Sequence, residues 1–187
     1  MKIIGITGGS GAGKTTVTKH FEKYGAEVVD ADVLAREIVN TGMPALDEIK
    51  KEWPGVVVDG ILNRRDLAKI VFNDDMELHK LNTITHKYII DEINKRIRCS
   101  KKEIFVIDAI ALFESGLAKL CDATICVIAE KNTRIKRIME RDGLTLKEAE
   151  ERINAQKSDD FYKENADYVI YNNDDGSNLE EIANRFS

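Results

Sequence analysis

At 187 residues the chain has room for one core domain with insertions, but for few independent folding units. Its 43% hydrophobic and 33% charged residues are ordinary for a soluble globular protein. A net charge of −5 excludes the broad basic field that draws nucleic acid or acidic membranes, so any anion must be held by local groups.

Five short runs are apolar or β-branched: KIIGIT (2–7), AEVVDA (26–31), EIFVIDA (103–109), ATICVIA (123–129) and DYVIYN (167–172). Most are apolar at consecutive positions, the mark of strands covered on both faces. Helical patterns separate them, so the spacing predicts a parallel α/β sheet. The opening MKIIGITGG is too short in its apolar part for a signal peptide and reads as the first strand.

That strand runs into GITGGSGAGKTTV, which fits G-x-x-x-x-G-K-[ST] at Gly8, Gly13, Lys14 and Thr15. Main-chain N–H groups from Gly8, Gly9, Ser10, Gly11, Ala12 and Gly13 through Thr16 can point at phosphate oxygens only where no Cβ intrudes. The helix that follows adds its unpaired N–H groups and the positive end of its dipole. Lys14 supplies positive charge to the β- and γ-phosphates, and Thr15, with Thr16 next to it, offers a hydroxyl to Mg²⁺. Val17, Phe21 and Tyr24 predict one buried stripe on this helix, and Gly25 suits its C-terminal cap.

The second strand ends in VVDADVLAREIV. If the strand continues, Asp30 and Asp32 share a face at its C-terminal end, where ligands gather in open α/β sheets. One carboxylate can then accept the proton of an attacking hydroxyl. The alternative is a helix N-cap.

Residues 32–100 carry mostly helical signals, more than a crossover needs. PALDEIKKEW starts a helix at Pro44; NRRDLAKIVFND places Leu67, Ile70 and Val71 on one face; DDMELHKLNTITHKYIIDEINKRIR is long, with Leu81, Ile84, Tyr88, Ile89, Ile93 and Ile97 at helical spacing. Asp108 closes the third strand, where P-loop proteins hold Mg²⁺, often through water. NTRIKRIMERDG and TLKEAEERINAQKS read as two further helices, with capping boxes at Thr145/Glu148 and, for a last helix, at Ser177/Glu180. Cys99, Cys121 and Cys126 form no C-x-x-C, so reduced thiols are expected, with Cys126 in the core. No apolar run approaches the ~18–20 residues of a membrane span, and a cytoplasmic location is expected.

The fourth strand is followed by EKNTR, and no guanine-reading N-K-x-D occurs anywhere. A small kinase needs a pocket for its acceptor and a cover that excludes water, and the two helical insertions suit those tasks. A sensor that binds nucleotide without transfer would need no base.

The segments GITGGSGAGKTTV, VVDADVLARE, DGILNRRDLAKIVF, ITHKYI, ALFESGL, ERINAQ and ADYVIYNN occur in the order and spacing of the dephospho-coenzyme A kinase family. The chain resembles that family over nearly its whole length. The resemblance implies a P-loop NTPase fold: a five-stranded parallel sheet flanked by helices, with a helical substrate-binding insertion and a small helical lid. Its divisions fall at 1–31, 101–129 and 161–187 for the nucleotide-binding core, 32–100 for the substrate insertion and 130–160 for the lid. It implies ATP and Mg²⁺ as cofactors and dephospho-coenzyme A as the small-molecule partner. Neither nucleic acid nor membrane is expected as a partner, and the chain is expected as a monomer or weak homo-oligomer. A nucleoside monophosphate kinase is the nearest rival.

Carried over by motif, Asp32 matches the family's general base. Arg141 matches a lid arginine that steadies the transferring phosphoryl group, with Arg137 a second candidate. Arg134 is expected on a solvated helix face. Arg64, more than Arg65, matches an arginine that meets the acceptor's phosphates. His86 stands where the family reads T-H-P, with Lys87 in place of the proline. Asp108 opens a loop in which Glu114 matches and Ile110 replaces another proline, and it is expected to serve both acceptor and metal. Arg152 and Gln156 match R-x-x-x-Q, read as closing the lid over the nucleotide. Asn172 and Asn173 are expected near the adenine.

Overall fold

A computed structural model describes residues 1–173. The chain divides into two compact units, one formed by Met1–Val29 together with the chain from Ser100, the other by Asp30–Cys99.

The first unit is built on the sheet. Strand β1 (Lys2–Thr7) leads into helix α1 (Lys14–Lys23), and strand β2 (Glu27–Asp30) follows. In the other unit come helices α2 (Ala31–Glu37) and α3 (Pro44–Glu52), a hairpin of strands β3 (Val57–Val58) and β4 (Ile61–Leu62), and helices α4 (Arg64–Val71) and α5 (Asp75–Cys99). The chain returns to the sheet with β5 (Ile104–Asp108) and β6 (Ala123–Ile128), then helices α6 (Lys131–Asp142), α7 (Leu146–Asn154) and α8 (Asp159–Asn165), and finally β7 (Tyr168–Tyr171). The strand order is β2-β5-β1-β6-β7, the five-stranded parallel sheet expected from the apolar runs.

Burial explains the apolar runs. Every residue of β6 is buried, as are the last four of both β1 and β5, so central strands read as unbroken apolar runs. The edge strands β2 and β7 each bury one residue fully. β1 lies between β5 and β6, so the strand order turns outward on either side of it, and ligands in open α/β sheets bind at such a point.

Helix α1 holds its own N-terminus against the sheet. Val17 and Phe21, one helical turn apart, pack with Ile4, Ile6, Val106, Ile125, Val127 and Ile170. Tyr24 departs from the expected stripe: it is 49% exposed. The helix has ended there, Tyr24 is its C-cap, and its ring lies 4.9 Å from that of His20. Gly25, at φ 88, makes the turn that follows, as expected. Cys126 is fully buried beside Ile128 and Tyr162.

In the helical unit, α4 buries Leu67 and Val71 but leaves Ile70 39% exposed, because positions four apart share the inward face more closely than those three apart. α5 buries Ile84, Ile89 and Ile93 and only partly covers Leu81, Tyr88 and Ile97. It passes through His86 and Lys87 as regular helix, which proline at 87 would interrupt. Lys87 instead reaches Glu48 at 3.4 Å and lies 4.7 Å over the Tyr88 ring. The β3–β4 hairpin and helices α2 and α8 go beyond the elements expected from the sequence. The Thr145/Glu148 capping box is present, whereas Ser177/Glu180 lies outside the described residues.

Phe21→Ala is expected to lower the stability of the whole chain by about 3–5 kcal/mol in urea unfolding, the usual cost of emptying a buried phenyl site. A loss under about 1 kcal/mol would contradict the packing described for α1.

Candidate active site

β1 delivers the chain to the loop between Gly8 and Gly13, and α1 begins at Lys14 with Gly13 as its N-cap. Gly13 has φ 96, a left-handed conformation that glycine takes without penalty. No acidic side chain occupies the first turn of α1, where it would offset the positive end of the dipole. Lys14 folds back and its Nζ donates to the Gly8 carbonyl at 3.0 Å.

The loop is also crowded from outside. A Cβ on Gly8 would lie 2.2 Å from the Val127 carbonyl oxygen, and one on Gly9 would lie 2.1 Å from Nη2 of Arg134. On Gly11 it would meet the Arg134 carbonyl oxygen at 2.6 Å, and on Gly13 the Asn172 Nδ2 at 1.9 Å. At Gly8 and Gly11 the obstacle is main chain, so their neighbours alone exclude a side chain there. Three of the loop's amides already donate within the protein: Ser10 to Gln156, Ala12 to Gly9 and Thr16 to Gly13.

The surroundings come from distant parts of the first unit. Asn172 is buried and its Nδ2 donates to the Ala12 carbonyl at 3.0 Å. Arg137 Nη1 donates to the carbonyls of Asn172 at 2.9 Å, Gly11 at 3.3 Å and Ala12 at 3.4 Å. Asn173 turns to Glu130, whose N–H donates to its Oδ1 at 2.8 Å. Gln156 lies on Ser10, with Oε1 accepting from the Ser10 N–H at 2.8 Å and Nε2 donating to Oγ at 2.9 Å.

Arg134 corrects an expectation. It is buried, 4% exposed, and bonded to Asp159 and to the Ser10 carbonyl. α6 buries Arg134, Ile135 and Ile138, so the arginine lies four residues from Ile138 on the apolar face. That spacing was visible in the sequence; Asp159, its charge partner, gave no signal there.

Arg141 lies at the exposed end of α6 and forms a two-pronged pair with Asp142, Nε and Nη2 each at 2.9 Å. Arg152 Nη1 donates to the same carboxylate. The Arg141 hydrogen bonds hold the Asp142 carboxyl down at about 2.

Asp108 ends β5 opposite Ile6 of β1, and the next residue, Ala109, donates its N–H to the Ile6 carbonyl at 3.0 Å. In the loop beyond, the Ile110 carbonyl accepts from Thr7 Oγ1 at 3.0 Å, and Glu114 is exposed. No group of three His, Cys, Asp or Glu able to hold a metal is found among the described residues. An exposed Thr15 hydroxyl and a largely buried Asp108 carboxyl are hard oxygen donors, and they fit an ion that keeps most of its waters and binds phosphate. Burial pushes the Cys121 thiol up to about 12 and the Cys126 thiol up to about 11, so neither supplies a thiolate.

In the helical unit Asp30 proves to be the cap. Its Oδ1 accepts from the N–H groups of Asp32 at 2.8 Å and Val33 at 2.9 Å, which turns the chain into α2 directly. Asp30 and Asp32 therefore do not share a strand face, as a longer strand predicts. Asp32 is an exposed residue in the first turn of α2. Arg64 opens α4, is exposed, and donates Nη2 to the Arg36 carbonyl at 3.2 Å. Arg65 is exposed beside it, and His86 is half-buried on α5. Arg64 also borders a cavity of about 180 Å³ lined by Ala35, Val39, Leu62 and Leu67.

A dephospho-CoA kinase family model matches residues 2–178. The dephospho-CoA kinase of Corynebacterium diphtheriae is 37% identical, over 98% of this chain and 94% of the relative. A crystal structure of TT1252 from Thermus thermophilus superposes with a TM-score of 0.86 at 30% identity, covering 99% of this chain and 95% of the other. Dephospho-CoA kinase from Campylobacter jejuni gives 0.67 at 25% identity, covering 100% and 96%.

The Asp142 carboxyl has its folded value depressed, so the pairing contributes stability above the ordinary carboxylate value and loses it as pH falls through about 2. Carboxyl NMR titration is expected to show Asp142 ionised down to that range, and Arg141→Ala should move its midpoint upward. A midpoint already at the ordinary value in the native chain would contradict the geometry at the end of α6.

Proposed function

The chain belongs to the dephospho-CoA kinase family, and from that premise we propose how its residues carry the terminal phosphoryl group of ATP to the ribose 3′-hydroxyl of dephospho-coenzyme A. The observation that supports this most directly is the glycine loop between β1 and α1, at the point where the strand order turns. The reaction is an in-line displacement, in which catalysis rests on positioning and charge.

In this reading those main-chain amides of the loop that are not already bonded within the protein hold the triphosphate together with Lys14, and the positive end of α1 favours its charge. Asp32 orients the acceptor hydroxyl and takes its proton. Arg64 meets the acceptor's phosphates, with His86 and Asp108 as further acceptor contacts. Arg141 steadies the moving group, while Arg137 and Asn173 serve the nucleotide. Thr15 and Asp108 would hold Mg²⁺, which supplies charge neutralisation on the phosphates when bound. We assign the helical residues 32–100 to the acceptor and residues 130–160 to a cover that excludes water, which would otherwise compete as acceptor. No described helix is long and apolar enough to cross a membrane, and we place the reaction in the cytoplasm.

Lys14→Ala is expected to abolish transfer in a coupled ADP assay; unchanged turnover would remove Lys14 from the mechanism. Asp32→Asn is expected to keep ATP binding while turnover falls by ~10²–10⁴. Turnover near that of the native chain would reduce Asp32 to a carboxylate in the first turn of α2. In a panel of acceptors, dephospho-coenzyme A should be phosphorylated faster than AMP, CMP or UMP. Preference for a nucleoside monophosphate would contradict the acceptor assignment.

A further inference from the structure

Arg134 has no part in the assignments above, yet it is the most deeply placed cation beside the loop, 4% exposed. Its guanidinium donates Nε to the Ser10 carbonyl at 2.9 Å, Nη1 to Asp159 Oδ1 at 2.8 Å and Nη2 to Gln156 Oε1 at 3.3 Å. Gln156 in turn holds Ser10 at N and Oγ. Every polar group of Ser10 is therefore engaged by one of two side chains, from α6 and from the stretch between α7 and α8.

A guanidinium is costly to bury unless paired, and Asp159 supplies the opposite charge. Asp159 is fixed in turn: it is the first residue of α8, whose N-cap Ser158 accepts from the Phe161 N–H at 3.2 Å. Charge pairing needs only one edge of the fork. The other donors go to the loop's main chain and to the glutamine that rests on it. The missing Cβ of Gly9 is what lets Nη2 come this close. Arginine suits the task because its planar fork reaches several acceptors in fixed geometry, which lysine cannot do.

We propose that Arg134, with Gln156, is a positioning residue for ATP: it acts through the main chain of Ser10, fixing the curvature of the phosphate loop, and sets the affinity for the triphosphate without contacting the acceptor. This rests on reading Gly8–Thr16 as the phosphate cradle. It assigns the Ser10 amide to the Arg134–Gln156 bracket and leaves phosphate to the amides around Gly13 and Lys14. It also gives Gln156 a task at the loop itself.

The test is steady-state kinetics on the full chain, with ATP and dephospho-coenzyme A varied in turn, for Arg134→Lys and Gln156→Leu. Arg134→Lys keeps a positive charge for Asp159 but cannot span Ser10 and Gln156 together. Gln156→Leu removes both of its bonds to Ser10 and leaves the Arg134–Asp159 pair in place. Each variant should raise the KM for ATP by about 10-fold or more, the scale of a lost hydrogen bond to or near a charged group. The KM for dephospho-coenzyme A should not move, and kcat should fall less than the ATP KM rises. A purely structural role would lower the active fraction, reducing kcat with both KM values unchanged. That result, or equal rises in both KM values, overturns the proposal. Should Arg134→Lys fail to fold, Gln156→Leu decides alone. If the native chain shows no saturation with ATP, the cradle reading itself fails and the bracket with it. If the native chain saturates and the variants match it, only the bracket fails.

Discussion

The main chain between Gly8 and Gly13 has neighbours so close that a Cβ at four of its glycines would overlap them, at Val127, Arg134 and Asn172. The glycines are what let distant side chains reach the loop's main chain. Once they do, they hold it: Asn172 and Arg137 on the Gly11–Ala12 carbonyls, Arg134 and Gln156 on Ser10. A loop with this much backbone freedom would be disordered on its own. Here its curvature is set from outside, which would leave little rearrangement for the anion binding proposed above.

The fold makes this possible by converging several strand ends. β1 lies between β5 and β6, and the loop leaves its C-terminal end. β5 brings Asp108 level with Ile6, and the chain beyond β7 brings Asn172 back to Ala12. Val17 and Phe21 fasten α1 to the same core that the central strands form. The N-terminus of α1 is thus fixed by apolar packing behind it and by polar contacts in front. The helical unit has its own device: Asp30 caps α2 through the N–H groups of Asp32 and Val33, and so fixes the turn of helix that carries Asp32.

What the sequence shows depends on how local the cause is. The strand, glycine loop and helix at the start are legible because the requirements for amides, positive φ and an apolar stripe all fall within a short stretch. The same holds for the Thr145/Glu148 box and for Pro44 at the start of α3. Tyr24 and Ile70 miss because a helical period says nothing of where a helix stops or how wide its covered face is. The β3–β4 hairpin, with two residues in each strand, is too short to carry a period. The charge of Arg134 suggests solvent, whereas its burial depends on Asp159 and Ser10, far apart in the chain. Spacing marks Asp30 and Asp32 without choosing between them; the choice of Asp32 as base, and the roles proposed for Arg64, His86 and Arg141, rest on family resemblance.

The proposed mechanism depends on the amides of the glycine loop gripping an anionic phosphate chain. Amide NMR of the isotope-labelled full chain, titrated with ATP and Mg²⁺, tests it at the atoms concerned. Saturable shifts are expected, largest at Gly11, Gly13, Lys14 and Thr15, with the Ser10 amide moving less because Gln156 already occupies it. Saturable shifts elsewhere with these amides unmoved, or no shifts at all, would contradict it.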